Sequence, residues 1–290
     1  MSVERLSHCK VNLLLNILGR RPDGFHELET LMQPVAVHDR LTVDPVPTGI
    51  HLTCSNPLLS CGPDNLVQKA AVRFFQATQI NSGVRIHLEK NIPVAAGLGG
   101  GSGNAAQTLL GLNELYYRPL LDHQLRELAA ELGSDVPFFL QSDPALVTGR
   151  GEHVEPLDPF PALKGAWLLL IHPGFGIATA WAYQQLQKFP AALNGQPGRT
   201  LELIALLLGG DLNAAAHAFY NSLEAPALKK YPILALFQEF LRDNGAVVAL
   251  MSGSGSATFA LIPSQRAGEQ LRELFLARFG AANWTALVPL

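Results

Sequence analysis

Cysteine is scarce in this sequence, and the spacing of Cys9, Cys54 and Cys61 matches neither a disulfide framework nor a zinc site. A reducing compartment suits such a chain, so we expect a cytoplasmic protein. The N-terminal residues lack the charged and then apolar run of a signal peptide. No stretch approaches the run of about 18 apolar residues that spans a bilayer. We therefore expect no membrane partner.

Charged residues are also few, at 16% of 290 residues, and the 21 Lys and Arg against 24 Asp and Glu give a formal net charge of −3. Such a chain has no broad basic field for nucleic acid, and we expect no nucleic-acid partner. Its hydrophobic content of 48% is enough for a sizeable core in one large domain or two moderate ones. A polyanionic ligand would need a local pocket.

Hydrophobic periodicity divides the chain into two α+β halves, residues 1–160 and 161–290, with a soft boundary near residues 158–164. Asp64 is the predicted cap of the first helix, and Asp122 and Gly133 are predicted to bound the third. Strands are predicted at 10–18, 41–44, 51–54, 84–89, 166–171, 246–250 and 258–262. Helices are predicted at 64–77, 104–116, 122–133, from 134–137 onward, at 179–188, in the stretch up to 244, and at 264–279.

The most informative segment is the glycine-rich run at residues 97–103, which leads into the helix predicted from Asn104. Glycines let successive backbone N–H groups turn toward one point, and a helix N-terminus adds its positive end. The pattern predicts a phosphate cradle in which Ser102 caps the helix, contacts a phosphate oxygen or meets Mg²⁺. A flexible linker is the plainer interpretation, but linkers rarely run straight into a helix.

Two other nucleotide-binding patterns fit this segment less well. It is not a Walker A loop, because no Gly-Lys-Ser/Thr follows the glycines. Gly101, Gly103 and Ala106 satisfy the looser GxGxxA dinucleotide pattern, but a Rossmann unit needs a second strand where this sequence predicts more helix. We therefore expect ATP rather than a nicotinamide dinucleotide.

Three separated segments resemble the GHMP kinases, a family of small-molecule kinases. Residues 93–106 resemble the central glycine-serine loop of the family. Residues 10–13 (KVNL) followed by 21–28 (RPDGFHEL) resemble its opening signature, and residues 251–257 (MSGSGSA) its third motif. The resemblance spans about residues 8–260. It implies an α+β, two-domain fold, with an N-terminal α/β domain like that of ribosomal protein S5 and a C-terminal ferredoxin-like domain.

The resemblance is nearest to members that use ATP and Mg²⁺ to phosphorylate a cytidylated methylerythritol phosphate on its 2-hydroxyl, in the non-mevalonate route to isoprenoid precursors. Members that act on mevalonate, phosphomevalonate, homoserine or a sugar are alternatives, and the turn at residues 23–26 argues against them. A non-catalytic nucleotide-binding module is a further alternative. Retention of both Lys10 and Asp135 argues against that module. We expect a monomer or a homodimer.

The resemblance implies that Lys10 and Asp135 are the catalytic pair. Lys10 and Asn12 share one face of a strand, because alternate side chains point the same way, and we expect this face to be directed outward. Asp135 is the candidate acceptor for the proton of the substrate hydroxyl, and a nearby ammonium group would favour its carboxylate form. The plainer interpretation of Asp135 is an N-cap for the helix that Pro137 begins, and the two roles are compatible.

By the same resemblance, the substrate-binding residues are Asn12, Phe25, His26 and Thr179. Phe25 stands where the family commonly has Tyr, so stacking on cytosine is kept and a hydroxyl is lost. Thr179 equally fits an ordinary helix N-cap. Gly103 stands where many relatives have Ser, and we predict no separate metal site in the protein. The predicted ATP-binding residues are Asn65, Pro93, Val94, Ala95, Ala96, Gly97, Leu98, Gly99, Gly100, Gly101, Ser102 and Gly103.

Overall fold

The computed structural model describes residues 2–290, which form two compact units interleaved along the chain. The first unit consists of the residues up to Cys9, Val37–Ile92 and Gly99–Ser142. The second unit consists of Lys10–Ala36, Pro93–Leu98 and Asp143–Leu290. The sequence instead suggests a single division near residue 160, and that division into two halves stays a prediction.

Strands and helices alternate through much of the chain. The strands are β1 (Val3–Arg20), β2 (His26–Val46), β3 (Ile50–Cys54), β4 (Gly83–Glu89), β5 (Ala145–Gly149), β6 (His153–Pro156), β7 (Trp167–His172), β8 (Tyr220–Asn221), β9 (Val248–Met251), β10 (Thr258–Ile262) and β11 (Trp284–Pro289). The helices are α1 (Leu66–Thr78), α2 (Gly100–Leu115), α3 (Asp122–Leu132), α4 (Thr179–Gln185), α5 (Pro190–Leu193), α6 (Arg199–Leu208), α7 (Leu212–Ala215), α8 (Glu224–Lys230), α9 (Pro232–Asp243) and α10 (Gln265–Phe279).

The first unit packs α1, α2 and α3 with strands in the order β3-β4-β2-β1. β2 is antiparallel to β4 from Arg40 to Val46, and β3 is parallel to β4. Helix α1 buries Val67, Ala70, Ala71 and Phe74, which recur on one helical face. This apolar stripe anchors the helix that follows Asn65.

The second unit contains two strand arrangements. In one, β5 is antiparallel to β2 and β6, while β1 is parallel to β8. The other is a four-stranded antiparallel sheet in the order β11-β7-β10-β9. Every residue of β10 is buried, as expected for a strand covered on both faces. The core includes Phe237 and Phe275, whose ring centroids lie 4.8 Å apart.

The α+β class predicted from the sequence is confirmed, and β10 has the predicted bounds. Several boundaries differ from the predictions. Asn65 rather than Asp64 caps α1, because its side chain accepts the Val67 N–H, while Asp64 accepts from the Ser60 hydroxyl. Leu121 occupies the N-cap position of α3 that was predicted for Asp122. Within residues 2–290, no helix combines the length and the apolar character needed to cross a membrane.

Candidate active site

Lys10 is almost completely buried in β1, with 3% of its surface exposed. Its Nζ donates to Asn12 Oδ1 at 2.6 Å and to the Gly97 carbonyl oxygen at 3.3 Å. The predicted sharing of one strand face by Lys10 and Asn12 is therefore confirmed. The expectation that this face is directed outward is wrong, because glycine-rich backbone contacts it. The ammonium group is thus held in a defined position by two oxygens.

The Asn12 side chain is oriented by contacts on its other side. Its Nδ2 donates to Thr30 Oγ1 at 2.9 Å, and Thr30 in turn donates to the Leu14 carbonyl at 2.5 Å. Asn12 is 2% exposed, and its backbone N–H donates to Ser252 Oγ at 3.3 Å. Because the amide nitrogen is engaged by Thr30, the amide oxygen faces Lys10. This chain of hydrogen bonds from Thr30 through Asn12 fixes the position of the Lys10 ammonium group.

The segment Pro93–Leu98 is tied to the loop that follows β9. Ser252 Oγ donates to the Gly97 carbonyl at 3.0 Å, and the Ala257 N–H donates to the Ala96 carbonyl at 2.9 Å. Gly97 has a φ of +79°, and a Cβ there would lie 2.1 Å from the Ser252 carbonyl oxygen. Only glycine fits this approach. Two glycine motifs that are far apart in sequence therefore form one backbone arrangement beside Lys10.

The loop after β9 is itself closed by internal hydrogen bonds. The Ser252 N–H donates to the Ala257 carbonyl, and the Gly255 N–H donates to the Ser252 carbonyl, each at 2.9 Å. Thr179 Oγ1 lies 2.9 Å from Ser254 Oγ, so the two hydroxyls share a hydrogen bond. The N-cap of α4 is Ala178, and the interpretation of Thr179 as an ordinary N-cap is wrong.

Behind this loop lies Asn221, which the sequence did not single out. Its Nδ2 donates to the carbonyl oxygens of Met251 and Gly253, both at 2.8 Å, and the residue is 2% exposed. Glu224 Oε1 accepts the Met251 N–H at 2.8 Å and Gln238 Nε2 at 2.5 Å. Burial raises the pKa of Glu224, although these hydrogen bonds act in the opposite direction. A buried Asn221 and a partly buried Glu224 thus hold the backbone on which the loop begins.

Phe25 and His26 lie where the turn at residues 21–25 enters β2. Phe25 is half exposed, and the His26 ring centroid lies 5.1 Å from that of Tyr183. Among the described residues, His26 Nε2 is buried and has no hydrogen-bond partner. Burial, followed by the charge of Arg20, lowers the pKa of His26, so its imidazole is neutral at neutral pH. A neutral ring offers one donor and one acceptor to a ligand.

In the first unit, α2 begins at Gly100, four residues before the predicted start. Its N-cap is Gly99, with a φ of +71° and no side-chain capping hydrogen bond. The first N–H groups of a helix have no partner within the helix, so those of Gly100, Gly101 and Ser102 lie at the positive end of the helix dipole, an arrangement that suits an anion. Phosphate binding by these residues stays a prediction. Residues 100–103, predicted to belong to a loop, form the first turn of a helix. Gly101 is exposed and Ser102 is partly exposed on this turn.

A buried polar cluster fixes the start of α2 from inside the first unit. Asn104 Nδ2 donates to Ser7 Oγ at 3.0 Å and to Asp39 Oδ2 at 2.9 Å. Lys90 forms a salt bridge with the same Asp39 oxygen, and Asp39 Oδ1 accepts the Asn91 and Ile92 N–H groups. Neither Asp39 nor Lys90 had a sequence signal, because Asp39 lies 51 residues from Lys90 and 65 residues from Asn104 in the chain.

Asp135 is partly exposed in the first unit, between α3 and the short helix Pro137–Leu140. The N-cap of that helix is Val136, and it has no side-chain capping hydrogen bond. The interpretation of Asp135 as an N-cap is therefore wrong. Lys10 belongs to the second unit, and the pairing of Lys10 with Asp135 stays a prediction.

Comparison with known proteins decides the family. Residues 65–143 match the GHMP kinases N terminal domain, and residues 203–280 match the GHMP kinases C terminal domain. The chain belongs to the GHMP kinase family. This GHMP kinase is 40% identical to the 4-diphosphocytidyl-2-C-methyl-D-erythritol kinase of Pelotomaculum thermopropionicum, with 93% of each chain covered. It is also 40% identical to the kinase of the same name from Synechococcus sp. (strain JA-2-3B'a(2-13)), with 94% of this chain and 89% of the relative covered.

Solved structures agree with this family. A crystal structure of 4-(cytidine 5'-diphospho)-2C-methyl-D-erythritol kinase superposes on this GHMP kinase with a TM-score of 0.79 and 36% identity, covering 99% of this chain and 100% of that one. A homoserine kinase from Cytophaga hutchinsonii gives a TM-score of 0.78 at 20% identity, with 100% and 95% covered. The second similarity concerns the fold alone.

Proposed function

We propose that this GHMP kinase transfers the γ-phosphate of ATP to the 2-hydroxyl of 4-diphosphocytidyl-2-C-methyl-D-erythritol. The observation that carries the proposal is the buried Lys10 Nζ, which Asn12 Oδ1 and the Gly97 carbonyl hold beside two glycine motifs. Relatives 40% identical over most of the chain are named as kinases of this alcohol. A cytoplasmic location and a monomeric or homodimeric state stay predictions.

ATP would lie along residues 93–103, with Asn65 as a further contact. Support comes from positive φ angles at Ala95, Gly97 and Gly99, which turn the backbone N–H groups, and from the uncapped start of α2. Because glycine has no Cβ, phosphate oxygens can approach this backbone closely. Such a segment would let a chain with a formal net charge of −3 bind a polyanion through backbone groups.

Mg²⁺ suits this arrangement as a partner of the nucleotide rather than as an ion in a protein cage. Residues 2–290 contain no group of three or more His, Cys, Asp or Glu side chains placed to hold a metal ion. Ser102 in the first turn of α2 offers one hydroxyl oxygen, while phosphates and water supply the other ligands that Mg²⁺ prefers. When bound, the ion neutralises charge on the phosphates.

Transfer is direct in this proposal. A bond forms between the substrate 2-hydroxyl oxygen and the γ-phosphorus as the bond from that phosphorus to the β,γ-bridging oxygen breaks, and ADP leaves. Asp135 accepts the hydroxyl proton, and Lys10 stabilises charge on the transferred group. Phe25 stacks on cytosine, neutral His26 meets its polar edge, and Asn12 and Thr179 contact the remainder of the substrate.

A panel of acceptor alcohols tests the proposal. Each assay contains the purified protein, ATP, Mg²⁺ and one acceptor: 4-diphosphocytidyl-2-C-methyl-D-erythritol, mevalonate, homoserine or a sugar. ADP release gives the rate, and ³¹P NMR identifies the phosphorylated product. We expect turnover with the cytidylated alcohol and a new phosphomonoester signal. A higher kcat/KM with another acceptor would show that the proposed substrate is wrong. ATP binding without transfer to any acceptor would favour the non-catalytic nucleotide-binding module.

A further inference from the structure

Arg150 is held in a tight turn at the end of β5. Its backbone N–H donates to Glu152 Oε2 at 2.7 Å, and its Nε lies 3.5 Å from Glu152 Oε1. The flanking Gly149 and Gly151 have φ values of +76° and +115°, which permit this turn. A Cβ at Gly149 would lie 2.7 Å from Glu152 Oε2. The carboxylate thus fixes both the backbone and the base of the guanidinium.

The Arg150 guanidinium stacks on Phe25, with Cζ 5.0 Å from the centre of the ring. The backbone of Phe25 is held by hydrogen bonds within the turn at residues 21–25. The Arg21 N–H donates to the Phe25 carbonyl at 2.8 Å, and the Phe25 N–H donates to Asp23 Oδ1 at 3.1 Å. Both partners of the stack are therefore anchored by their own backbones. Phe25 lies on a loop held by a strand, and loops held by a rigid scaffold commonly carry binding residues.

A stacked guanidinium keeps its N–H donors at the edge of its plane, where they match the oxygens of a phosphate. The Arg150 side chain is 37% exposed, and Glu152 engages it through Nε. The neighbouring Arg21 forms salt bridges with Asp23 and Glu27. Arg150 is thus a preorganised cation beside the predicted base-stacking residue.

Strand β2 sets the distance from Phe25 to Lys10. Thr30 is hydrogen-bonded to Asn12, which is hydrogen-bonded to Lys10. His26 and Thr30 are four positions apart on the strand, so roughly 13 Å of strand lies between them. Leu28 pairs with Gly149, which places Arg150 next to the far end of this stretch. A nucleoside diphosphate ester carries its diphosphate between the base and the reacting alcohol. Because only a ribose lies between the base and the first phosphate, a substrate whose base stacks on Phe25 carries negative charge within reach of Arg150 at the same end of the strand.

We propose that Arg150 binds the diphosphate of the nucleotide-linked substrate and selects such substrates over uncharged alcohols. The inference rests on the proposed function, because that function supplies the diphosphate. Phe25 and Arg150 then act together, one on the base and the other on the charge.

Binding of cytidine and of cytidine diphosphate, measured by NMR titration without ATP, tests this role. We expect Arg150→Gln to weaken binding of the diphosphate by about tenfold or more, the usual effect of a lost charge-assisted hydrogen bond, and to change cytidine binding less than about twofold. Arg278→Gln, at an exposed arginine in the last turn of α10, serves as the matched control and is expected to change neither.

Equal weakening of cytidine and cytidine diphosphate binding by Arg150→Gln would overturn the role, since Arg150 would then only support Phe25. Unchanged binding of both ligands would also overturn it. If Arg150→Gln does not fold, Arg150→Met supplies the same comparison, because methionine also removes the charge and keeps a long unbranched side chain beside Phe25. Wild-type protein that binds neither ligand would overturn both this inference and the proposed substrate. Wild-type binding with unaffected Arg150 variants would overturn this inference alone.

Discussion

Ser252 and Gly97, 155 residues apart in sequence, are in close contact: the Ser252 hydroxyl donates to the Gly97 carbonyl oxygen at 3.0 Å. The same carbonyl oxygen accepts from Lys10 Nζ at 3.3 Å. One backbone oxygen therefore links the central glycine segment, the third glycine motif and the candidate catalytic lysine. Small displacements of either motif are expected to move the ammonium group.

Gly97→Ala tests this contact. The new methyl group meets the Ser252 carbonyl, and the positive φ adds a cost of about 1–2 kcal/mol. We expect kcat/KM to fall at least about tenfold, together with a loss of stability of about 2–4 kcal/mol in urea unfolding. Gly165→Ala is the matched control, because Gly165 has a φ of +82° and open space around its Cβ position. Equal effects of both substitutions on kcat/KM would contradict the importance of the contact.

Asn221→Ala removes both hydrogen bonds that hold the carbonyls of Met251 and Gly253. We expect a stability loss of about 1–3 kcal/mol and, because the loop is released, a fall in kcat/KM beyond what lost stability explains. Asn113→Ala is the control, since Asn113 also makes two buried bonds to backbone, both at Leu120. The control is expected to lose similar stability and to keep its kinetic constants. Unchanged kinetics for Asn221→Ala would show that the loop needs no such support.

Glu224→Gln is expected to change how stability depends on pH. Burial raises the pKa of Glu224 in the folded protein above its ordinary value near 4.5. The folded state therefore binds this proton more tightly than the unfolded state does, and stability falls as pH rises from about 4.5 through the raised pKa. Glutamine cannot ionise and can still accept from Met251. Urea midpoints between pH 4 and 8 should decline less in the variant, and identical slopes would contradict the assignment.

Asp39→Asn is expected to destabilise the first unit. The change leaves the buried Lys90 ammonium without its ion-pair partner, and removing one partner of a buried pair costs about 3–5 kcal/mol. Asp211→Asn is a suitable control, because Asp211 is an exposed N-cap and Asn caps helices equally well. Thermal unfolding measures both. A loss below about 1 kcal/mol for Asp39→Asn would show that the pair is not needed for stability.

Local signals predicted turns and loops well, because glycine-rich turns and helix stops are written in adjacent residues. The turn before His26 and the loop after Met251 were identified as turn and loop in this way, while their assignment to a functional site came from the family resemblance and stays a prediction. The burial of Lys10 was not predicted, because it depends on backbone contributed by Gly97, and a strand pattern does not show what covers its polar face. Asn221 lies on a two-residue strand and gave no periodic signal.

The predicted first residues of helices α1 and α2 were wrong for a related reason. Asn65 and Asp64 are both good caps by residue type, and only the turn held by Ser60 decides between them. The glycines from Gly100 to Gly103 favour a loop by intrinsic propensity. They are helical here, and a Cβ at Gly103 would lie 2.8 Å from Ser7 Oγ, which explains why a small residue is needed there.

The rate of phosphoryl transfer in Asp135→Asn tests the central claim most directly. Product formation from ATP and 4-diphosphocytidyl-2-C-methyl-D-erythritol is followed by ³¹P NMR, and ATP affinity by calorimetry. Asp122→Asn, at an exposed aspartate in the first turn of α3, is the control. We expect Asp135→Asn to bind ATP normally and to turn over on the order of a hundredfold or more slowly, while the control keeps the wild-type rate. Wild-type turnover by Asp135→Asn would contradict the account.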